Sequence, residues 1–369
     1  MIYSYVLICI LSLIGGSLIL WKAPRVTRSD QSTQQNSLSI IIPARNEESN
    51  LPTLLKSLTK QSLQPLEVIV VDDHSEDQTV TVAEQYGAKV VQLKEMKVDW
   101  IGKSAGCWAG ANASKGDRLL FLDADCFLPH KTSLAKINQS FDAQKEKGIL
   151  SIQPYHEIKR AYENLSVLFN IMVLAGMNRF SILGKKLEPA GAFGPSLLCS
   201  RDFYFGIGGH ESVKESLMEN IDLGKLVLEK DRPVSLLSGK DSLHFRMYPD
   251  GIRSLIQGWS KSFATASGST HPVILIGTSL WMAGAFITFF ALLYTLIQGS
   301  AVGIILTVIG YLLFYLLFLR MARLAGNFSP LVLFVYPVIF IFFVSIFIWS
   351  FIKTFLFKTV DWKGRKVEV

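Results

Sequence analysis

Apolar and polar positions alternate on two length scales along this chain. Between residues 38 and 260 the apolar runs are short. Leu38-Ser39-Ile40-Ile41-Ile42, Glu67-Val68-Ile69-Val70-Val71 and Arg118-Leu119-Leu120-Phe121-Leu122 read as buried strands. Polar turns and segments with helical spacing follow them. A helix is expected from about Asn50, with Pro52 in its first turn, a second over 78–86 ended by Gly87, and a third over 104–114. A short strand is expected at 89–91. Strand–helix alternation of this kind predicts an α/β fold with a mostly parallel sheet and helices on both faces.

Elsewhere the apolar runs are long. Residues 1–21, 272–319 and 328–352 carry no charge. A bilayer span takes about 20 apolar residues, so spanning helices are expected near 2–21, 273–297, 301–319 and 331–352. Residues 161–183 suit either a core helix or one lying on a membrane surface. The expected organisation is an N-terminal transmembrane anchor over 1–21, a basic and polar linker over 22–37 and an α/β domain over 38–271. About three transmembrane helices over 272–352 and a basic tail over 353–369 complete it.

Composition sharpens this picture. Only 18% of the 369 residues are charged, with a net charge of +7. The first segment lacks a charged leader, and Trp21-Lys22-Ala23-Pro24-Arg25 is a poor cleavage site, so an uncleaved anchor is expected. Lys22, Arg25 and Arg28 then place the α/β domain in the cytoplasm of a multi-pass protein of the cell membrane. Lys353, Lys358, Lys363, Arg365 and Lys366 conflict with four full spans, which would put the tail outside. Either the last span is re-entrant or interfacial, with Pro337 as a place to bend, or the count of helices is wrong. The four cysteines show no paired spacing, as in a reducing compartment. The basic residues bracket apolar segments, which favours anionic lipid as a partner over nucleic acid. No protein partner is indicated.

Polar residues collect where the strands end. Arg45 and Glu47 follow the first, Asp72 and Asp73 the second, and Asp123 and Asp125 the third. Ligands of open α/β sheets gather at these carboxyl ends. Two carboxylates one residue apart suit Mg²⁺ or Mn²⁺ carrying a diphosphate, and they share a face while the strand lasts. Each feature has a plainer alternative: Asp72 or Asp73 as a helix cap, Arg45 and Glu47 as an exposed ion pair. Lys103 follows Gly102, but position 97 is Lys where a phosphate-binding P-loop needs its first glycine, which argues against an ATPase.

Taken in order, Ser39-Ile40-Ile41-Ile42-Pro43-Ala44-Arg45-Asn46-Glu47-Glu48, Val70-Val71-Asp72-Asp73-His74-Ser75-Glu76-Asp77, Gly102-Lys103 and Asp123-Ala124-Asp125 resemble glycosyltransferase family 2 with its GT-A fold. The resemblance implies an inverting transfer from a nucleotide-sugar donor, with Mg²⁺ or Mn²⁺ as cofactor. It places Pro43, Arg45, Glu47 and Asp73 around the nucleoside and Gly102 and Lys103 by the phosphates. Asp123 falls at ribose and metal, and Asp125 on the metal. His74 stands where the family usually has glycine. His244 is a candidate third metal ligand. Arg246, Trp259 and Lys261 resemble the basic-aromatic segment that closes over the diphosphate, although the usual Gln-x-x-Arg-Trp is missing.

Further stretches, among them Gln153-Pro154-Tyr155-His156, Ala192-Phe193-Gly194-Pro195 and Phe245-Arg246-Met247-Tyr248-Pro249, are similar to the 4,4'-diaponeurosporenoate glycosyltransferases. That likeness implies glucose from UDP-glucose and a lipophilic acceptor, a carotenoid carboxylic acid. A glycerolipid or polyprenyl phosphate acceptor, or a non-catalytic sugar-nucleotide or lipid-binding scaffold, are the alternatives. An inverting transfer needs a carboxylate base. The family's aspartate position is Asn220, so Glu219 is the first candidate and Asp222 the second; both are also ordinary first-turn helix acids. His210 is read as structural rather than as a ligand. The helix in 161–183, through Phe169 and Met172, is a candidate acceptor entrance together with 262–272.

Overall fold

Residues 2–26, 37–93, 100, 103–145, 147–216, 218–260, 268–353, 359–362 and 365–368 are described by a computed structural model. Two compact units result, each made of separated stretches of chain. One contains Pro24–His156, Pro189–Met247 and Thr359–Val369; the other contains Met1–Ala23, Glu157–Glu188 and Tyr248–Lys358. The stretches 157–188 and 248–260, expected inside the α/β domain, therefore group with the apolar helices.

The first unit is built on a seven-stranded sheet. Its strands are β1 (Leu38–Ala44), β2 (Glu67–Asp72), β3 (Lys89–Gln92), β4 (Arg118–Leu122), β6 (Ile149–Gln153), β8 (Ser196–Ser200) and β9 (Val234–Ser238), in the order β3-β2-β1-β4-β8-β6-β9. A smaller sheet, β5-β10-β7, joins β5 (Cys126–Phe127), β7 (Tyr155–His156) and β10 (His244–Phe245). β1, β2, β3 and β4 run parallel, and β8 is antiparallel to β4 and β6. All five residues of β4 are buried, as are Ile40, Ile41 and Ile42 of β1. This two-sided burial is why their sequences lack alternation. The chain leaves β1 for β2 and β3 on one side, then returns to place β4 on the other. The gap between β1 and β4 is thus a topological switch point, where a ligand crevice forms.

The expected helices are present as Leu51–Thr59, Thr79–Gln85 and Ser104–Ala113. Gly87 takes φ 75°, the left-handed conformation that ends a helix. Arg118, fully buried, donates to Asn138 Oδ1 at 2.6 Å and pairs with Asp142, fixing helix Ser133–Ala143 against β4.

In the second unit, two helices are long and apolar enough to cross a membrane, Pro272–Gln298 and Ala301–Ala325. The other two expected spans are shorter. The first is Ile2–Ile19, whose end is capped by Arg320: the guanidinium donates to the Leu20 and Trp21 carbonyls at 3.3 and 2.5 Å. The last is broken at Val335 into Pro330–Phe334 and Tyr336–Phe351. Pro337 supplies no N–H and crowds the carbonyl four residues back, which interrupts the helix.

The 161–183 segment forms a 3₁₀ turn, Ala161–Ser166, and a helix, Val167–Gly176. Phe169 is fully buried, stacked on Trp259 with centroids 4.7 Å apart and tilted against Phe343 at 4.8 Å. It packs in the core of this unit, whereas Met172 is half-buried. Most of 262–272 lies outside the described residues.

Candidate active site

The loops leaving β1 and β2 are stitched together. The Asp73 N–H donates to the Ala44 carbonyl at 2.9 Å, carrying the ladder beyond the strands. Arg45 Nη1 lies 3.5 Å from Asp73 Oδ2, both side chains largely buried. Glu47 Oε2 accepts from Asn50 Nδ2 at 2.8 Å. The cap alternative fails. Helix Thr79–Gln85 has no side-chain cap, and Asp72 instead accepts the Ser75 N–H at 3.2 Å. His74 sits at φ 56°, a left-handed backbone, with Nδ1 3.1 Å from Asp73 Oδ1. Glycine adopts that conformation without strain, so the family's usual residue here has a physical reason. Pro43 lies on β1 opposite Val71.

β4 ends at Leu122, so Asp123, Ala124 and Asp125 lie in a turn rather than along a strand. The Asp123 N–H donates to the Pro195 carbonyl at 3.0 Å, and the Cys126 N–H donates to the Asp123 carbonyl at 3.1 Å. The Arg246 N–H reaches the Asp125 carbonyl at 3.3 Å, because β10 pairs with β5. Arg246 is thereby brought to the acidic turn.

Lys103, one residue before helix Ser104–Ala113, is the hub. Its ammonium donates to Asp123 Oδ1 and, at 2.6 Å, to the Gly194 carbonyl, and lies 3.7 Å from Glu219 Oε1. The three side chains are 19%, 32% and 12% exposed for Lys103, Asp123 and Glu219. Burial alone pushes the Lys103 pKa down, but the Asp123 and Glu219 carboxylates outweigh it and hold it above its ordinary value. Lys103 is a fixed cation at neutral pH. Burial pushes the nearby Cys107 thiol up, which keeps it protonated.

Glu219 opens helix Glu219–Glu229, which lies close to the 191–194 loop. A Cβ on Gly224 would sit 2.4 Å from the Ala192 nitrogen, and one on Gly191, at φ 146°, 2.3 Å from the Ile221 carbonyl oxygen. Glycine at both positions allows this approach. Asn220 is spent on structure. Its Nδ2 donates to the Gly194 and Phe193 carbonyls at 2.6 and 3.2 Å, and its Oδ1 lies 3.1 Å from His210 Nε2. An amide oxygen only accepts, so His210 carries its proton on Nε2, and Nδ1 accepts from Tyr204 Oη at 2.9 Å. Burial, then the charge of Lys103, pushes the His210 pKa down to about 3, so the ring is neutral. His210 is structural, as expected.

Of the two candidate bases, the structure brings Glu219 to Lys103. Asp222 instead accepts from Ser216 Oγ at 2.6 Å and pairs with Lys225 at 2.9 Å near the surface. His244 has its Nε2 2.9 Å from the Lys240 carbonyl. Among the described residues no group of three or more His, Cys, Asp or Glu side chains converges on one position. Asp123 and Asp125 alone fit a hard cation that completes its shell with diphosphate and water, rather than a closed protein cage. Trp259 is buried and donates its indole N–H to Ser166 Oγ at 3.0 Å. Gly102 and Lys261 lie outside the described residues. Neither the Lys103–Glu219 approach nor the Tyr204–His210–Asn220 chain was anticipated, because no local spacing links them.

The family model for Glycosyl transferase family 2 matches residues 39–195. A 4,4'-diaponeurosporenoate glycosyltransferase of Staphylococcus aureus (strain MRSA252) is 37% identical over 361 residues, 97% of this chain and 96% of the relative. The chain belongs to glycosyltransferase family 2. The protein of the same name from strain USA300 is 36% identical over 360 residues, again 97% of this chain and 96% of that one. A mannosyltransferase from Pyrobaculum calidifontis, solved in complex with GDP-Man and Mn²⁺, covers 96% of each chain with a TM-score of 0.54 at 14% identity. That likeness is one of fold, and the GT-A architecture expected for the family is present. This glycosyltransferase thus carries its Lys103–Asp123–Glu219 cluster near the switch point of a GT-A sheet.

Proposed function

We propose that this glycosyltransferase moves glucose from UDP-glucose, with inversion, to a lipophilic carboxylic acid of the diaponeurosporenoate kind at a membrane surface, with its catalytic unit in the cytoplasm. The observation that carries the reading is the committed amide of Asn220. Where the family has an aspartate, this chain has a group locked onto two carbonyls and His210. Glu219 is left as the carboxylate beside Lys103.

A carboxylic acid acceptor is already ionised at neutral pH. Its oxygen forms the bond to the anomeric carbon as the carbon–oxygen bond to the diphosphate breaks, and the electron pair departs with the nucleoside diphosphate. No proton has to be removed from the ionised acceptor, so a demanding base is not needed; Glu219 takes the proton of any acceptor molecule that arrives protonated. Lys103 is the chain's fixed positive charge for the departing diphosphate. Arg45, Glu47 and Asp73 hold the nucleoside side of the crevice. Asp123 and Asp125 would hold Mg²⁺ or Mn²⁺, whose contribution is to neutralise charge on the diphosphate. The two long apolar helices fit a lipid-soluble acceptor and work at a bilayer.

The test is transfer of label from radiolabelled UDP-glucose in membranes containing the protein and the carotenoid acid, followed by organic extraction. A labelled, pigmented glycosyl ester is expected. Label confined to a colourless lipid would overturn the acceptor reading.

A further inference from the structure

Lys103 does more in this structure than wait for a phosphate. Its ammonium has three donors. One is engaged by Asp123 Oδ1, one by the Gly194 carbonyl at 2.6 Å, and Glu219 Oε1 lies 3.7 Å away. The Gly194 carbonyl is itself pinned by Asn220 Nδ2 at 2.6 Å, so the acceptor geometry around the lysine is built in. Two carboxylates turned into one partly buried corner repel unless a cation stands between them.

We propose that Lys103 is a placeholder cation: in the donor-free protein it fills the corner between Asp123 and Glu219, and it makes divalent cation and nucleotide bind together rather than one after the other. The inference rests on Asp123 being a metal ligand. A divalent ion arriving alone must pull Asp123 from the lysine and leaves the ammonium short of a partner. An ion arriving with a diphosphate brings a new anion for Lys103 to hold. The two ligands are therefore coupled through one side chain, and the coupling is reciprocal.

The experiment uses the full-length protein in detergent, with Mn²⁺ binding followed by the electron paramagnetic resonance signal of the free ion, with and without UDP. In the wild type, Mn²⁺ alone binds weakly and UDP tightens it. Lys103→Met removes the competitor, so Mn²⁺ alone binds about tenfold more tightly or better, and the further gain from UDP shrinks. Lys103→Arg keeps the charge and keeps weak binding of Mn²⁺ alone. Equal affinity of wild type and Lys103→Met for Mn²⁺ without nucleotide overturns the proposal. Thermal unfolding of the same samples is the second readout. Mn²⁺ alone should raise the Tm of Lys103→Met more than that of the wild type; a variant with no cooperative transition in either EDTA or Mn²⁺ counts against the proposal, since the lysine is then needed for folding itself. If all these proteins ignore Mn²⁺ even with UDP present, the assignment of Asp123 to a metal falls as well.

Discussion

Glu219 and Asp222 stand one helical turn apart, yet only Glu219 lies beside Lys103. Asp222 is held by Ser216 and Lys225, whereas Glu219 is largely buried beside Lys103. Removing a general base ordinarily costs about 10²–10⁴ in rate. With an ionised acid as acceptor, Glu219→Gln should cost about tenfold in kcat, and the full penalty should appear only with an alcohol analogue of the acceptor. Asp222→Asn should leave kcat within about twofold for both. Steady-state rates on the paired acceptors check this; equal losses from Glu219→Gln on both would refute the light role given to it. His210 gives a pH signature. Its folded pKa of about 3 lies below the unfolded value of about 6.5, so between those limits the unfolded chain binds a proton that the folded chain does not. The stability this neutral ring contributes is complete above about pH 6.5 and is lost as pH falls toward 3. Thermal melts of His210→Gln should therefore lose less Tm than the wild type between pH 6.5 and 4. At this scale the sequence was readable where chemistry is local. Asp72, Asp73, Asp123 and Asp125 fall at strand ends as expected, but the partners of Lys103 and Asn220 come from distant loops that no spacing reveals.

Helix Glu219–Glu229 and the 191–194 loop work as one element. Their approach depends on two glycines facing each other's backbone. A mid-helix Gly→Ala change normally stabilises by about 1 kcal/mol. Gly224→Ala should do the opposite, because its Cβ would meet the Ala192 nitrogen and the Gly191 backbone. The overlap pushes the helix away and carries Asn220 off Gly194 and Glu219 off Lys103. We expect a lower Tm together with a loss of kcat, measured on purified protein; a stabilised, fully active Gly224→Ala would show that the loop yields. The opposite wall of the 191–194 loop, Ile221 and Gly224, has no local signature in the sequence. The positions of β1 to β4 and of the three helices among them were legible from periodicity, whereas the strands after β4 carried no such signal. The exceptions have local causes: β4 gives way to a turn at Asp123, and the last apolar run is broken ahead of Pro337.

At the scale of the molecule, the apolar stretches were obvious and their grouping was not. Composition marks 272–319 as membrane-like, and helices Pro272–Gln298 and Ala301–Ala325 satisfy the length requirement. The protein should stay in the pellet after alkaline carbonate extraction of membranes and be released by detergent; release by carbonate would remove the membrane reading. That 157–188 and 248–260 join these helices rather than the sheet follows from contacts far apart in sequence, such as Phe169 on Trp259 and Asn164 accepting the Ser329 N–H at 2.8 Å. Hydrophobicity reports how buried a segment is, but not by whom.

Arg320 capping the Leu20 and Trp21 carbonyls has a consequence for the order of biosynthesis. The opening helix leaves the ribosome first, whereas the arginine that closes its end is made some 300 residues later. At roughly 5–20 residues per second, that wait lasts on the order of tens of seconds. Throughout it, the Leu20 and Trp21 carbonyls must find another hydrogen-bond donor.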